Sequence, residues 1–360
     1  MERNSVFYRG CLLGLAVGDA MGYSVDKKTW EEICRDYGPN GLLGYDLANG
    51  NADVTSYTQI AAFMCNGLLL AFTRGTPALY PRYMALAMQE WAKSQQVRTN
   101  PERTTCWVAQ IQELRRRHCM DTRMLDALSK EPLGTPECPK ISSTTPGALT
   151  AALAVGLCYD PEKIQPLQIG TLGAAAVAFT HGDPEAFLCG AFIAYCMAGI
   201  LMEPDCPLPE QFTHATDAII EQFGGQYPQV QTICEKIRYA QALSRDMEIT
   251  PFAAMTLLEC TTAAQCLAGA VYAATIHPGN FDEAMIVSVN HSGRSAAVGA
   301  LTGAFLGAKL GADALPEFYL ESLEVLPVLD ELATDLAERR QASRIFDDSW
   351  DQKYVQGLPV

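Results

Sequence analysis

The sequence predicts an all-α protein, and three observations carry that reading. Apolar residues recur at helical spacing in one segment after another, alternating strands joined by tight hairpins are missing, and two stretches repeat glycine at every fourth position. Gly10, Gly14, Gly18 and Gly22 form the first ladder, and Gly299, Gly303, Gly307 and Gly311 the second. A four-residue repeat lies roughly along one helix face. Interior glycine costs about 1 kcal/mol relative to alanine, so each ladder needs an offsetting gain, and close approach of a neighbouring helix supplies one. Both helices are expected near the centre of a bundle.

Between the ladders the helical pattern runs through Tyr57–Phe72 and Tyr83–Trp91, then through Pro146–Leu157, Ile169–Phe179 and Thr262–Ala274, before Ala297–Leu310 closes the series. Thr145 followed by Pro146 reads as an N-cap and first-turn pair. Asp183-Pro184-Glu185 after Gly182 marks one helix ending and the next being capped. The longest strongly apolar stretch, Phe187–Met202, falls short of the roughly 20 residues of a membrane span and is flanked by Glu185 and Glu203, so it reads as a buried helix.

Length alone, 360 residues, suggests about two domains. No low-complexity linker or solenoid period divides the chain, so a single domain over 1–360 is the economical reading, with the polar stretch 97–140 as a peripheral insertion. The hydrophobic fraction of 49% and charged fraction of 19% are those of a folded globular protein. A formal charge of -15 opposes binding to a phosphate backbone. The basic run Arg115-Arg116-Arg117-His118 reads as a solvated helix face, and neither nucleic acid nor membrane is an expected partner. Thirteen scattered cysteines with no Cys-x-x-Cys pair suggest reduced cytoplasmic thiols, and the start Met1-Glu2-Arg3-Asn4 is unlike a signal peptide.

Five motifs fall in order along the chain. They are Gly10 through Gly22 with Tyr23-Ser24-Val25-Asp26, then Thr55-Ser56-Tyr57-Thr58-Gln59, then Ser142-Ser143-Thr144-Thr145-Pro146-Gly147, then Thr180-His181-Gly182-Asp183-Pro184, and finally Asn290-His291-Ser292-Gly293-Arg294-Ser295. In this order they resemble the ADP-ribosylglycohydrolase family, which includes the dinitrogenase-reductase-activating glycohydrolases and the jellyfish-lens crystallins. The resemblance implies an all-α fold with a two-magnesium cleft that hydrolyses an N- or O-glycosidic bond to ADP-ribose.

The departures from the family pattern bear directly on chemistry. Relatives usually read Thr-Asp-Asp-Thr-Gln where this chain has Thr55-Ser56-Tyr57-Thr58-Gln59, so Thr55 alone survives as a ligand. They usually read Ser-Gly-Asp-Ser-Asp-Ser-Thr-Gly where it has Ser292-Gly293-Arg294-Ser295-Ala296-Ala297-Val298-Gly299. Magnesium prefers an octahedron of oxygens that includes carboxylates; four are lost and Arg294 adds a fixed positive charge. No metal ligands, and no magnesium, are therefore expected. The glycines and arginine common in the family's phosphate loop are also absent around Ser142, Thr145 and Gly147.

Asp19 and Asp26 remain as candidate catalytic carboxylates, Asp26 falling where many relatives carry glutamate. Two carboxylates can work without metal as an acid and a nucleophile or base. Thr55-Ser56 and Ser292-Gly293 precede helices, so two N-termini with free N–H groups and positive dipole ends are expected at the emptied cleft. Arg294 beside them reads either as part of an anion site or as an ion-pair partner of Asp19 or Asp26. His181 reads as a core or cap residue, and His291 and Ser295 as cleft residues. The expected protein has lost the family hydrolysis and binds an ADP-ribose-like or other anionic molecule, or a protein partner. The alternatives are a rewired, metal-independent hydrolase and a purely structural protein.

Overall fold

All regular structure among the described residues is helical, apart from one isolated parallel bridge between Ile141 and His181. The computed structural model describes residues 3–47, 50–75, 77–96, 104–119, 121–340 and 348–355; the start Met1-Glu2 and residues 97–103 and 120 of the expected insertion lie outside the described residues. The first helices are α1 (Ser5–Tyr23), α2 (Trp30–Tyr37), α3 (Ser56–Thr73), α4 (Tyr80–Ser94), α5 (Arg123–Leu128) and α6 (Ala151–Leu157). They are followed by α7 (Pro166–Ala178), α8 (Pro184–Met202), α9 (Leu208–Phe223), α10 (Gln229–Leu243), α11 (Pro251–Leu258) and α12 (Ala263–Ile276). The remainder are α13 (Phe281–Val289), α14 (Ser295–Leu310), α15 (Glu317–Leu320), α16 (Leu326–Glu338) and α17 (Asp348–Tyr354).

The two glycine ladders pack on each other. A Cβ added at Gly10, Gly14 or Gly18 would stand 2.0, 2.2 or 1.9 Å from the carbonyl oxygen of Gly307, Gly303 or Gly299 respectively. The backbones of α1 and α14 therefore meet with no side chain between them, which is the gain that offsets the glycine cost. The last rung departs from the expectation: Gly311 follows α14 at φ 85°, where its N–H closes the helix onto the Gly307 carbonyl. A helix C-terminus favours glycine for that left-handed turn.

Around this pair, α3 is buried along its whole length, and α12 and α14 nearly so. Their first turns start from side-chain caps where the sequence offers hydroxyls or carboxamides, as at Thr262 with Gln265 and Asn280 before α13. The apolar run after Asp183 forms α8, 19 residues long. Length and apolarity alone would let it cross a membrane, but 72% of its most apolar window is buried inside the protein. Outer helices such as α9 and α10 alternate core residues with exposed polar ones.

One helix begins later than its sequence suggests. Pro146–Thr150 forms successive tight turns, with Leu149 N–H to the Pro146 carbonyl and Ala151 N–H to the Ala148 carbonyl, and α6 starts only at Ala151. Thr145 does not cap it, because its hydroxyl is engaged by His181 at 2.9 Å.

Candidate functional site

The first motif delivers Asp19 to the start of α3. One Asp19 oxygen accepts from the Thr55 N–H (2.8 Å), the Thr58 N–H (3.0 Å) and the Thr58 hydroxyl (2.6 Å), while the other accepts from the Thr55 hydroxyl at 2.7 Å. The Ser56 N–H goes to the His118 carbonyl and the Tyr57 N–H to the Thr55 hydroxyl. The α3 N-terminus is thus consumed by the protein itself, contrary to the free N–H groups expected of it. Burial raises the Asp19 carboxyl to about 6, against the pull of these four hydrogen bonds. The carboxylate is fully buried and acts as the cap of α3.

Asp26 does the same for the start of α14. One oxygen accepts from the Ala296 N–H at 3.2 Å, and the other lies 3.5 Å from Arg294 Nε. Of the two carboxylate partners considered for Arg294, the structure selects Asp26. Burial raises the Asp26 carboxyl, and the guanidinium beside it works to lower it. Arg294 projects inward, with 14% of its side chain exposed, near enough to the Tyr57 phenol for each to perturb the other's charge. Four buried atoms here have no hydrogen-bond partner: Asp26 Oδ2, Arg294 Nε, Arg294 Nη2 and the Tyr57 hydroxyl. Orphaned polar atoms are uncommon in protein interiors, and this cluster has both a cationic donor edge and an acceptor.

A second polar network adjoins it. His181 is buried, with Nε2 2.9 Å from the Thr145 hydroxyl and Nδ1 2.9 Å from the Thr180 hydroxyl. Asp121 Oδ2 lies 3.7 Å from Nε2 and is held by Arg123, which also donates to Ser143. Burial opposes ionisation of Asp121, yet the nearby His181 ring and the bonds from Arg123 hold its carboxyl well below the usual range. Its charge reaches Arg294 as well. Gly147 passes close beneath: a Cβ there would meet His181 Cε1 at 3.2 Å.

Asp121, Arg123, Ser143 and Thr58 are the residues that sequence reasoning does not assign to the site, and His118, read as part of a solvated helix face, instead takes the Ser56 N–H on its carbonyl and contacts the Val54 carbonyl through its ring. Ser142, by contrast, is exposed, and its neighbour Ser143 joins the network. Asp121 and Arg123 come from the segment read as a peripheral insertion, as does Arg116, whose guanidinium pairs with Asp53 at 2.5 Å and with Glu324. That pairing replaces the solvated helix face expected for Arg116.

The last motif is held by backbone contacts. Ser292 accepts from the Trp30 N–H at 2.8 Å, the Arg294 N–H goes to the Cys260 carbonyl at 2.8 Å, and Ser295 is fully buried. Gly293 fits because a Cβ there would stand 2.5 Å from that same carbonyl oxygen. His291 Nδ1 accepts from the Gly293 N–H, so Nε2 carries the proton and donates to the Ser288 carbonyl. Both nitrogens are committed, and the ring shapes the loop.

Burial pushes the His291 imidazole down to about 4, partly offset by its bond to Ser288. The sign follows: the unfolded chain takes up this proton near pH 6.5 and the folded chain only near 4, so stability present above 6.5 is lost as pH falls through that window. The expected loss is about 3 kcal/mol. Asp19, raised by burial, works in the opposite direction at overlapping pH. The measurement is therefore urea unfolding of the parent and of His291→Gln at pH 7 and pH 4, and a parent-minus-variant difference independent of pH would refute the assignment.

A profile described as ADP-ribosylglycohydrolase matches residues 3–345. An uncharacterised protein of Archaeoglobus fulgidus is 27% identical over 335 residues, covering 92% of this chain and 96% of the relative. The solved ADP-ribosylglycohydrolase-related protein complex has a chain that superposes with a TM-score of 0.59 at 20% identity, covering 94% of this chain and 99% of that one, which is a likeness of fold. With the ordered motifs, the all-helical architecture and a match over nearly the whole length, the chain belongs to the ADP-ribosylglycohydrolase family.

Proposed function

We propose that this protein is a member of the family that binds an anionic, ADP-ribose-like small molecule without the metal-dependent hydrolysis. The observation that carries this reading is the buried cluster of Arg294, Tyr57 and Asp26, in which Arg294 Nε and Nη2, the Tyr57 hydroxyl and Asp26 Oδ2 make no hydrogen bond, the Arg294–Asp26 contact at 3.5 Å being an ion pair alone. A phosphate or carboxylate on the Nε and Nη2 edge of Arg294, with the Tyr57 hydroxyl donating, would satisfy three of the four.

The residues present do not fit a magnesium pair. Positions 56, 57, 294 and 296 carry serine, tyrosine, arginine and alanine. The Thr55 hydroxyl is spent on Asp19, all hydrogen bonds to Asp19 come from the α3 N-terminus, and Asp26 faces a guanidinium. A divalent ion needs several free oxygens and is repelled by a fixed cation at this spot. The rewired-hydrolase reading is weaker because Asp19, one of its two carboxylates, is enclosed by the helix it caps.

The test is calorimetric titration with ADP-ribose, with and without millimolar magnesium, alongside a hydrolysis assay on ADP-ribosylated substrate. Expected results are binding that ignores magnesium, no turnover, and a melting temperature indifferent to added magnesium. Arg294→Ala is expected to weaken binding by about 10- to 150-fold, corresponding to roughly 1.5–3 kcal/mol for a hydrogen bond to a charged group. Magnesium-dependent turnover, or ADP-ribose affinity untouched by Arg294→Ala, would overturn the proposal.

A further inference from the structure

The corner between α8 and α9 brings together three different metal-ligating groups. Glu203 ends α8, Cys206 sits in the connecting turn and His214 lies on α9, and one carboxylate oxygen, the thiol sulfur and one imidazole nitrogen all lie within 4.8 Å of one another. Glu210 Oε2 is 3.8 Å from Cys206 Sγ. Glu210 and His214 are four residues apart on α9, so they share one face of the helix.

The corner is braced from two sides. The Cys206 N–H closes a turn onto the Glu203 carbonyl at 3.0 Å, and Lys309 on α14 donates to the carbonyls of Pro204 and Cys206. The backbone carrying Glu203 and Cys206 is thereby fixed, while their side chains and His214 stay accessible from solvent.

We propose that Glu203, Cys206 and His214, with Glu210 as the fourth group, form a site for a zinc-class divalent cation that ties α8 to α9. A mixed sulfur, nitrogen and oxygen set suits zinc and its borderline-soft neighbours, whereas magnesium and calcium take oxygen alone. Four protein ligands describe a closed, structural site and leave no position for a reacting water. With bonds of about 2.0–2.3 Å, the ligand atoms of a tetrahedral centre lie roughly 3.3–3.8 Å apart, so side-chain movement of about 1 Å brings Glu203, Cys206 and His214 into register, and Glu210, 3.8 Å from the Cys206 sulfur, turns in as the fourth group. The site uses elements other than those of the Arg294 cluster, and it stands whether or not that cluster binds an anion.

The experiment uses the full chain stripped with chelator, then titrated with zinc, and in parallel with cobalt(II), in excess magnesium. One tightly bound zinc per chain is expected, with a rise in melting temperature and, for cobalt, a thiolate charge-transfer band in the near ultraviolet. Cys206→Ser and His214→Ala are each expected to weaken binding at least tenfold, and Cys206→Ser to abolish the band. Cys138→Ser, which removes another exposed thiol, is expected to leave both unchanged. Persistence of the band and of the stoichiometry in Cys206→Ser, or no zinc uptake at micromolar concentration by the parent, would overturn the proposal.

Discussion

Gly18→Ala is expected to lower stability by about 3 kcal/mol or more, the upper end of the overpacking range, and to yield poorly soluble protein. The added methyl would lie 1.9 Å from the Gly299 carbonyl oxygen and 2.9 Å from the Ala300 nitrogen. Both obstacles are backbone, so no rotamer change relieves the clash and α1 must separate from α14. Helix propensity moves the other way by only about 1 kcal/mol. Gly225→Ala serves as the control, because a Cβ there meets nothing within 4 Å. Chemical denaturation of both variants checks the claim, and equal stabilities would disprove the tight helix contact.

Asp19→Ala is expected to cost about 3 kcal/mol, because it strips partners from two buried N–H groups and two hydroxyls at once. Each buried donor left unsatisfied costs about 1–3 kcal/mol, and removal of the buried charge returns part of that. Asp19→Asn is expected to be much milder. Three of the four hydrogen bonds converge on Oδ2, and a carboxamide oxygen placed there keeps all three. An Asn variant as unstable as the Ala variant would mean that charge, and not the acceptor geometry, holds α3 in place.

The helices that were legible in the sequence are those whose composition has one physical explanation. Glycine at every fourth position in α1 and α14 makes sense only against another backbone, and the apolar runs of α3, α8 and α12 only inside a core. Helices α9, α10 and α16 escaped because charged residues share their surfaces and prolines stand at or beside their starts. The structure was legible where a motif is contiguous: Asp26 pairs with Arg294 beside Tyr57, and Thr55 meets Asp19. It was not legible where loops supply the partners. Asp121 comes near His181, and Arg123 reaches Asp121 and Ser143, through packing that no periodicity encodes, and Ser143 rather than Ser142 faces inward because of the local turn. The free helix N-termini failed for a simpler reason, since the two carboxylates closest in sequence to the glycine ladder bond to those very N–H groups.

The pairing of α1 with α14 also has a consequence for how the chain is made. Helix α1, with Arg9 and Asp19 as its only charges, finds its principal partner near residue 300. At translation rates of about 5–20 residues per second, it waits roughly 15–60 s for that partner. Thr55 and Thr58 are available early to engage Asp19, but the glycine face has nothing comparable to lean on until α14 emerges. Closure of the centre therefore waits for the synthesis of α14 and joins segments of high sequence separation, and such closure is slow. In the interval, the glycine face of a helix with only two charges stands without the backbone it is shaped to meet.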